Sequence, residues 1–116
     1  MRRKLVPVLA ALAATAALAV VSVAQAGPAK TTVKGTVGPG FTITVSPKSV
    51  KAGKVTFVIQ DKSSAHNWHI TGPGVNKKTS VSGTGTFTWN LTLQKGTYKI
   101  VCDPHASTMK TSLKVT

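Results

Sequence analysis

From about Thr31 to the end of the chain, apolar and polar residues alternate with a period of two. That spacing places each apolar series on one face of an extended strand. Phe41, Ile43 and Val45 form one series, and Val55, Phe57 and Ile59 a second. Phe87, Trp89, Leu91 and Leu93 face away from Thr86, Thr88, Asn90 and Thr92. Tyr98, Ile100 and Cys102 continue the pattern, and Thr111, Leu113 and Val115 close it. Turn signals separate the runs, among them Gly38-Pro39-Gly40, Ser46-Pro47-Lys48, Thr71-Gly72-Pro73-Gly74, Ser82-Gly83-Thr84-Gly85 and Lys95-Gly96. The expected fold is all-β, a sandwich or small barrel of about seven to eight short strands. No segment of helical period follows residue 26, so no substantial helix is expected there. A chain of 116 residues has room for one domain. Gly27 to about Lys34 reads equally as an edge strand or as a tether.

Residues 1–26 follow a different rule. Arg2, Arg3 and Lys4 precede an apolar stretch from about Leu5 to Val23, and Ala24-Gln25-Ala26 is a small-residue cleavage site. Together they read as a secretory signal peptide. Its removal would leave residues 27–116, an exported domain of 90 residues with no membrane span. The rival is an uncleaved anchor, since the stretch is nearly long enough to cross a bilayer. Its Ala-rich make-up and the cleavage site favour removal. Arg2-Arg3 alone does not make a twin-arginine signal.

An exported domain of this size often leans on disulfides, but this one has a single cysteine, Cys102. A lone thiol in an oxidising compartment is open to intermolecular pairing and oxidation unless it is buried or held by a metal. The run Cys102-Asp103-Pro104-His105-Ala106-Ser107-Thr108-Met109 sets a thiol, an imidazole and a thioether within eight residues. Upstream, His66-Asn67-Trp68-His69 offers a second imidazole. A His2Cys plane with a weak axial Met is a ligand set for copper, because soft sulfur stabilises Cu(I) while imidazole suits both oxidation states. Residues three apart on a strand point to opposite faces, so His66 and His69 do not both reach one metal. Each candidate also has a plainer reading. Cys102 could be a small core residue, Met109 core filler and His105 a surface histidine. Trp68 and Trp89 read as packing, and Asn90-Leu91-Thr92, a glycosylation sequon by pattern, reads as coincidence in a strand.

With Arg2, Arg3 and Lys4 set aside, twelve lysines face only Asp61 and Asp103, a formal charge of +10. Such a surface attracts anionic partners by long-range steering that salt weakens. The lysines are scattered in sequence, with no arginine after Arg3 and no cluster beyond Lys77-Lys78, which argues against nucleic acid. A solvated basic face, or an anionic redox partner or cell surface, fits better.

Lys95-Gly96-Thr97-Tyr98-Lys99-Ile100-Val101-Cys102-Asp103-Pro104-His105, followed by Met109, resembles the C-terminal strand and ligand loop of plastocyanin-like and azurin-like cupredoxins. His66-Asn67 is similar to their upstream ligand pair. The resemblance covers nearly all of residues 27–116. It implies a Greek-key β-sandwich holding one copper ion between His66, Cys102, His105 and Met109, with His69 the alternative upstream ligand. It implies that Asn67 hydrogen-bonds between the two ligand segments and that electrons pass through His105, the ligand nearest the surface. It further implies a one-electron carrier, expected to be monomeric. Four protein ligands leave no open position for a substrate, so no enzyme is expected, and the signal peptide points to the periplasm, cell envelope or extracellular space. The spacing departs from plant and cyanobacterial plastocyanins, which have one residue more between His105 and Met109, a difference that bears on the axial distance and the potential. The surface is basic where the plant proteins have an acidic patch. Three other classes fit parts of the pattern. A copper chaperone or storage protein would use the same ligands, a cysteine nucleophile with His105 as base would leave His66 and Met109 unused, and a structural sandwich would carry a vestigial site.

Overall fold

Alternation of β-branched and aromatic residues with threonine and lysine builds two sheets that face each other through their apolar sides. The computed structural model describes residues 30–116, and the expected signal peptide at residues 1–26 lies outside them. Nine strands follow in order: β1 (Thr31–Val37), β2 (Ile43–Ser46), β3 (Ser49–Val50), β4 (Gly53–Asp61), β5 (His69–Gly72), β6 (Val75–Lys78), β7 (Gly85–Leu93), β8 (Gly96–Val101) and β9 (Lys110–Val115). The first sheet runs β2-β1-β4-β7 and the second β3-β9-β8-β5-β6. β1 lies parallel to β4 and β3 parallel to β9, and the other pairs are antiparallel. From β4 the chain crosses to β5 and β6, returns to β7, and crosses again to β8 and β9. These crossovers make the sandwich expected, with nine strands rather than seven or eight, because two-residue β3 and polar β6 carry almost no apolar alternation.

Val33, Val37, Val45, Phe57 and Ile59 from one sheet meet Ile70, Tyr98, Ile100, Leu113 and Val115 from the other. Each such side chain contributes roughly 1.5–3 kcal/mol by leaving water. Trp68, fully buried, fills the space between the sheets, beside Phe57 and Trp89 at ring-centroid distances of 6.0 and 6.1 Å. Its Nε1–H donates to the Thr44 carbonyl at 3.1 Å. Tyr98 secures the turn before its own strand, donating to the Pro73 carbonyl at 2.8 Å and accepting from the Gln94 N–H at 2.9 Å. This is the corner by which Tyr ties a strand to the preceding loop in sandwich domains.

Three local expectations change. Phe41 precedes β2 and is 72 % exposed, so it belongs to no inward-facing series. β1 is neither an edge nor a tether but sits between β2 and β4. Phe87, Trp89 and Leu91 are only half-buried because β7 is an edge strand.

The register gives the sandwich two poles. Val37, Asp61 and Gly85 meet at one end of the first sheet, as do Val101 and Lys110 in the second. Thr31 and Val55, Gly53 and Leu93, and Gly96 and Val115 pair near the other. Among the described residues, every strand and all of this core lie within residues 31–115.

Gly35 in β1 leaves the space that Trp68 occupies. An added Cβ would lie 2.6 Å from Trp68 Cε2 and 2.7 Å from Ile59 Cδ1. Gly35→Ala should therefore cost about 1–3 kcal/mol, the usual penalty for overpacking a filled core. Urea unfolding of residues 27–116, followed by tryptophan fluorescence, measures it.

Candidate metal centre

β8 delivers the chain to the first pole, and Cys102 is the first residue beyond it, still extended. Pro104 then starts a short 3-10 turn, Asp103–His105, where its missing N–H costs nothing. The loop closes on itself. The His105 N–H donates to the Cys102 carbonyl at 3.0 Å, the Met109 N–H to the His105 carbonyl at 2.8 Å, and the Cys102 N–H to the Met109 carbonyl at 3.0 Å. These backbone bonds hold Cys102, His105 and Met109 together around one turn. His66 comes from the connection between β4 and β5. It lies three residues ahead of β5, which begins at His69.

His66 Nδ1 and His105 Nδ1 stand 3.1 Å apart, and Cys102 Sγ is 3.6 Å from each. The centre of that triangle is about 2 Å from every corner, the length of an ordinary metal–imidazole bond. A shared proton could satisfy two of these atoms, but only a cation uses all three. His66, Cys102 and Met109 are buried to 2 %, 0 % and 1 % exposure, while His105 is half-buried. Two imidazoles and a cysteine sulfur, with Met109 on the same closed loop, form a soft, sulfur-rich donor set suited to copper. His69 stands apart from the group. Its Nδ1 is 2.8 Å from Asp103 Oδ1 and its Nε2 is 2.7 Å from Asn76 Oδ1, so both ring nitrogens are engaged elsewhere.

A sequence profile of copper-binding proteins, the plastocyanin/azurin family, matches residues 29–116. The chain belongs to this family. Cupredoxins of this kind are type 1 copper electron-transfer proteins that pass electrons to redox partners. A comparison with curated protein sequences returned no match. Among solved structures, auracyanin A, a "blue" copper protein from the green thermophilic photosynthetic bacterium Chloroflexus aurantiacus, is similar at 19 % identity and a TM-score of 0.52, over 75 % of this chain and 99 % of its own. Auracyanin from Roseiflexus castenholzii matches at 19 % identity and 0.54, over 78 % and 99 %. Rusticyanin from Thiobacillus ferrooxidans matches at 20 % and 0.57, over 78 % and 79 %. At such identities the likeness is one of fold, the cupredoxin sandwich.

In this cupredoxin the two ligand-bearing segments are joined by Asn67. The Asp103 N–H donates to Asn67 Oδ1 at 2.8 Å, and Asn67 Nδ2 donates to Asp103 Oδ2 at 2.8 Å and to the Thr79 carbonyl at 3.3 Å. Thr79 holds the same segment from below. Its hydroxyl accepts from the Trp68 N–H at 2.9 Å and donates to Asp61 Oδ2 at 3.1 Å, and its own N–H donates to the Trp68 carbonyl at 3.1 Å. Partial burial pushes the Asp103 carboxyl up, but hydrogen bonds from His69 and Asn67, with the charges of His69 and Lys78, outweigh this and hold it below the usual carboxylate range. Phe41 stands over the site from outside, its ring edge-to-face with His66 and His105 at 5.3 and 5.1 Å.

Asp61, Thr79, Asp103 and Phe41 are the supports that sequence reading missed. Thr79 carries no local signal, since it follows Lys77-Lys78 in an apparent turn. For the acids a signal existed, because the only two carboxylate side chains in residues 27–116 both lie at this pole and both accept hydrogen bonds there.

Thr79→Val keeps shape but removes the hydroxyl, stranding the buried Trp68 N–H and one oxygen of Asp61. Unfolding of the metal-free protein in urea should show a loss of roughly 1–3 kcal/mol. Thr79→Ser should recover most of it.

Proposed function

We propose that the protein is an exported, monomeric one-electron carrier whose copper is held by His66, Cys102 and His105, with Met109 as the weak axial ligand. The triangle of two imidazole nitrogens and one sulfur, with sides of 3.1, 3.6 and 3.6 Å, carries this reading. Bound there, copper supplies a one-electron Cu(II)/Cu(I) couple. The chain supplies the rest. Backbone bonds within the Cys102–Met109 loop and the Asn67 bridge to Asp103 keep the donors in place whichever charge they face. Burial of Cys102 and His66 keeps water from the site. Four protein donors leave no position for a substrate, which favours a carrier over an enzyme.

His105, the most exposed of the four, is the route in and out. Phe41 beside it offers a partner an apolar contact. Lys62, Lys78 and Lys110 lie at the same pole, next to Asp61, opposite His69 and opposite Val101, and favour an acidic redox partner. Export rests on the signal peptide at residues 1–26, and the periplasm or cell envelope is the compartment where a single thiol needs such protection.

One equivalent of Cu(II) added to residues 27–116 should give an intense visible thiolate-to-copper band. Cys102→Ser should abolish it, and His69→Ala should keep it. A colourless wild-type protein that binds no copper would sink the proposal. Met109→Leu should keep the band yet change the reduction potential by voltammetry, and an unchanged potential would remove Met109 from the ligand set. Mass spectrometry of the exported protein should find Gly27 at its N-terminus.

A further inference from the structure

The lysines that are scattered in sequence are not scattered in space. Lys30, Lys48, Lys51, Lys54, Lys95 and Lys114 all fall at the pole opposite the metal centre, and all six are exposed. The register places them there. Lys30 precedes Thr31, which pairs with Val55; Lys54 pairs with Thr92; Lys114 pairs with Ser49 and Thr97; and Lys95 lies in the turn between β7 and β8. Lys48 accepts the Lys114 N–H on its carbonyl, and Ala52, next to Lys51, donates its N–H to the Thr116 carbonyl. Neither Asp61 nor Asp103 is near, since both are committed at the other pole. Half of the twelve lysines thus gather on one end with no side-chain carboxylate to offset them.

That end has a shaped centre. An open cleft of about 790 Å³ is lined by Lys30, Lys51 and Lys54 with Thr56, Asn90 and Thr92. Thr56 donates to Asn90 Oδ1 at 2.9 Å, which leaves the Asn90 amide hydrogens available to an acceptor. Ammonium and amide donors around an open hollow suit phosphate oxygens. No aromatic side chain lines the cleft, so it lacks the stacking platforms by which proteins hold single-stranded nucleic acid.

On the export proposed above, the chain also reaches this pole from a membrane. The apolar stretch ends at about Val23, and six residues separate it from Lys30. Even fully extended, six residues span only about 20 Å. While the signal stays attached, the basic pole would therefore be the part of the domain nearest the bilayer. We infer that this pole is a docking surface for anionic phospholipid, on which the domain sits after release with its metal centre facing away. The nine-residue β4 spans about 30 Å from pole to pole at ~3.3 Å per residue. Phe41 and His105 stay free for a redox partner while the lysines engage headgroups within the short range of the surface potential.

The test compares residues 27–116 on vesicles of phosphatidylcholine alone with vesicles of equimolar phosphatidylcholine and phosphatidylglycerol, by sedimentation at physiological salt. Binding should appear only on the mixed vesicles. A variant with Lys51→Gln, Lys54→Gln, Lys95→Gln and Lys114→Gln should bind at least tenfold more weakly. A control with Lys62→Gln, Lys77→Gln, Lys78→Gln and Lys110→Gln has the same net charge and should stay within threefold of wild type. Far-UV circular dichroism confirms that both variants keep the fold. Equal losses in the two variants would show attraction by net charge alone and overturn the assignment. So would binding indifferent to phosphatidylglycerol, or tighter binding to soluble polyphosphate at equal charge, which would make a polyanion rather than a bilayer the occupant. None of these readouts depends on copper, so the proposal and the electron-carrier reading stand or fall separately.

Discussion

The side-chain amide of Asn67 joins the two halves of the metal centre. His66 arrives between β4 and β5, whereas Cys102, His105 and Met109 arrive between β8 and β9, and the pairing of β5 with β8, which sets His69 opposite Val101, brings these connections to the same pole without tying them to each other. Asn67 ties them by exchanging hydrogen bonds with both the backbone and the carboxylate of Asp103, the residue after Cys102. Because Asn67 is 1 % exposed, these bonds form where water does not compete for them. Its neighbours are aligned as a consequence. Fixing residue 67 fixes His66 on one side and Trp68 on the other, and Trp68 in turn is sunk between the sheets against the gap left by Gly35. The placing of the site and the packing of the core are thus two ends of one three-residue segment.

The parts of this arrangement that rest on local chemistry were legible in the sequence. Strand alternation follows from one residue and the next, and the Cys102–Met109 loop is a short run whose donor types are visible side by side. Phe41 was misread because alternation with Ile43 and Val45 continues its pattern past the point where pairing stops, at Ile43 opposite Val37. Local periodicity cannot report where a partner strand ends. Thr79 was invisible for the opposite reason. Its value comes from Trp68, eleven residues earlier, and Asp61, eighteen residues earlier, and such contacts exist only once β5 and β6 have turned back across the pole. The same applies to the lysines, which register alone collects at one end.

Charge and site are linked through the two acids. In a domain with twelve lysines, a surface carboxylate would find cations almost anywhere, yet Asp61 and Asp103 are both spent as hydrogen-bond acceptors around the ligand segments. Asp103 makes the more delicate balance. Burial beside Cys102 disfavours its charge, and the donors on Asn67, with His69 and Lys78 nearby, restore it. His69 is therefore a support rather than a rival to His66. By engaging Asp103 it stabilises the carboxylate that Asn67 needs, and by engaging Asn76 it ties that carboxylate to the edge strand β6.

A centre built in this way is held by contacts within the protein itself. The imidazole nitrogens stand 3.1 Å apart, and loop closure and the Asn67 bridge restrain both of the segments that carry them. Hydrogen bonds that hold the donors from the protein side do not depend on the charge at the centre. The surrounding residues then have little to rearrange as an electron comes or goes, and the energy of that small rearrangement is what opposes transfer. Most of the support lies in the buried Asn67 amide, Thr79 hydroxyl and Asp61 carboxylate, and the exposed His69–Asp103 pair adds little by itself and varies with salt. Exposed charge is left to the far pole, where dependence on the surroundings serves attachment and does not disturb the donors.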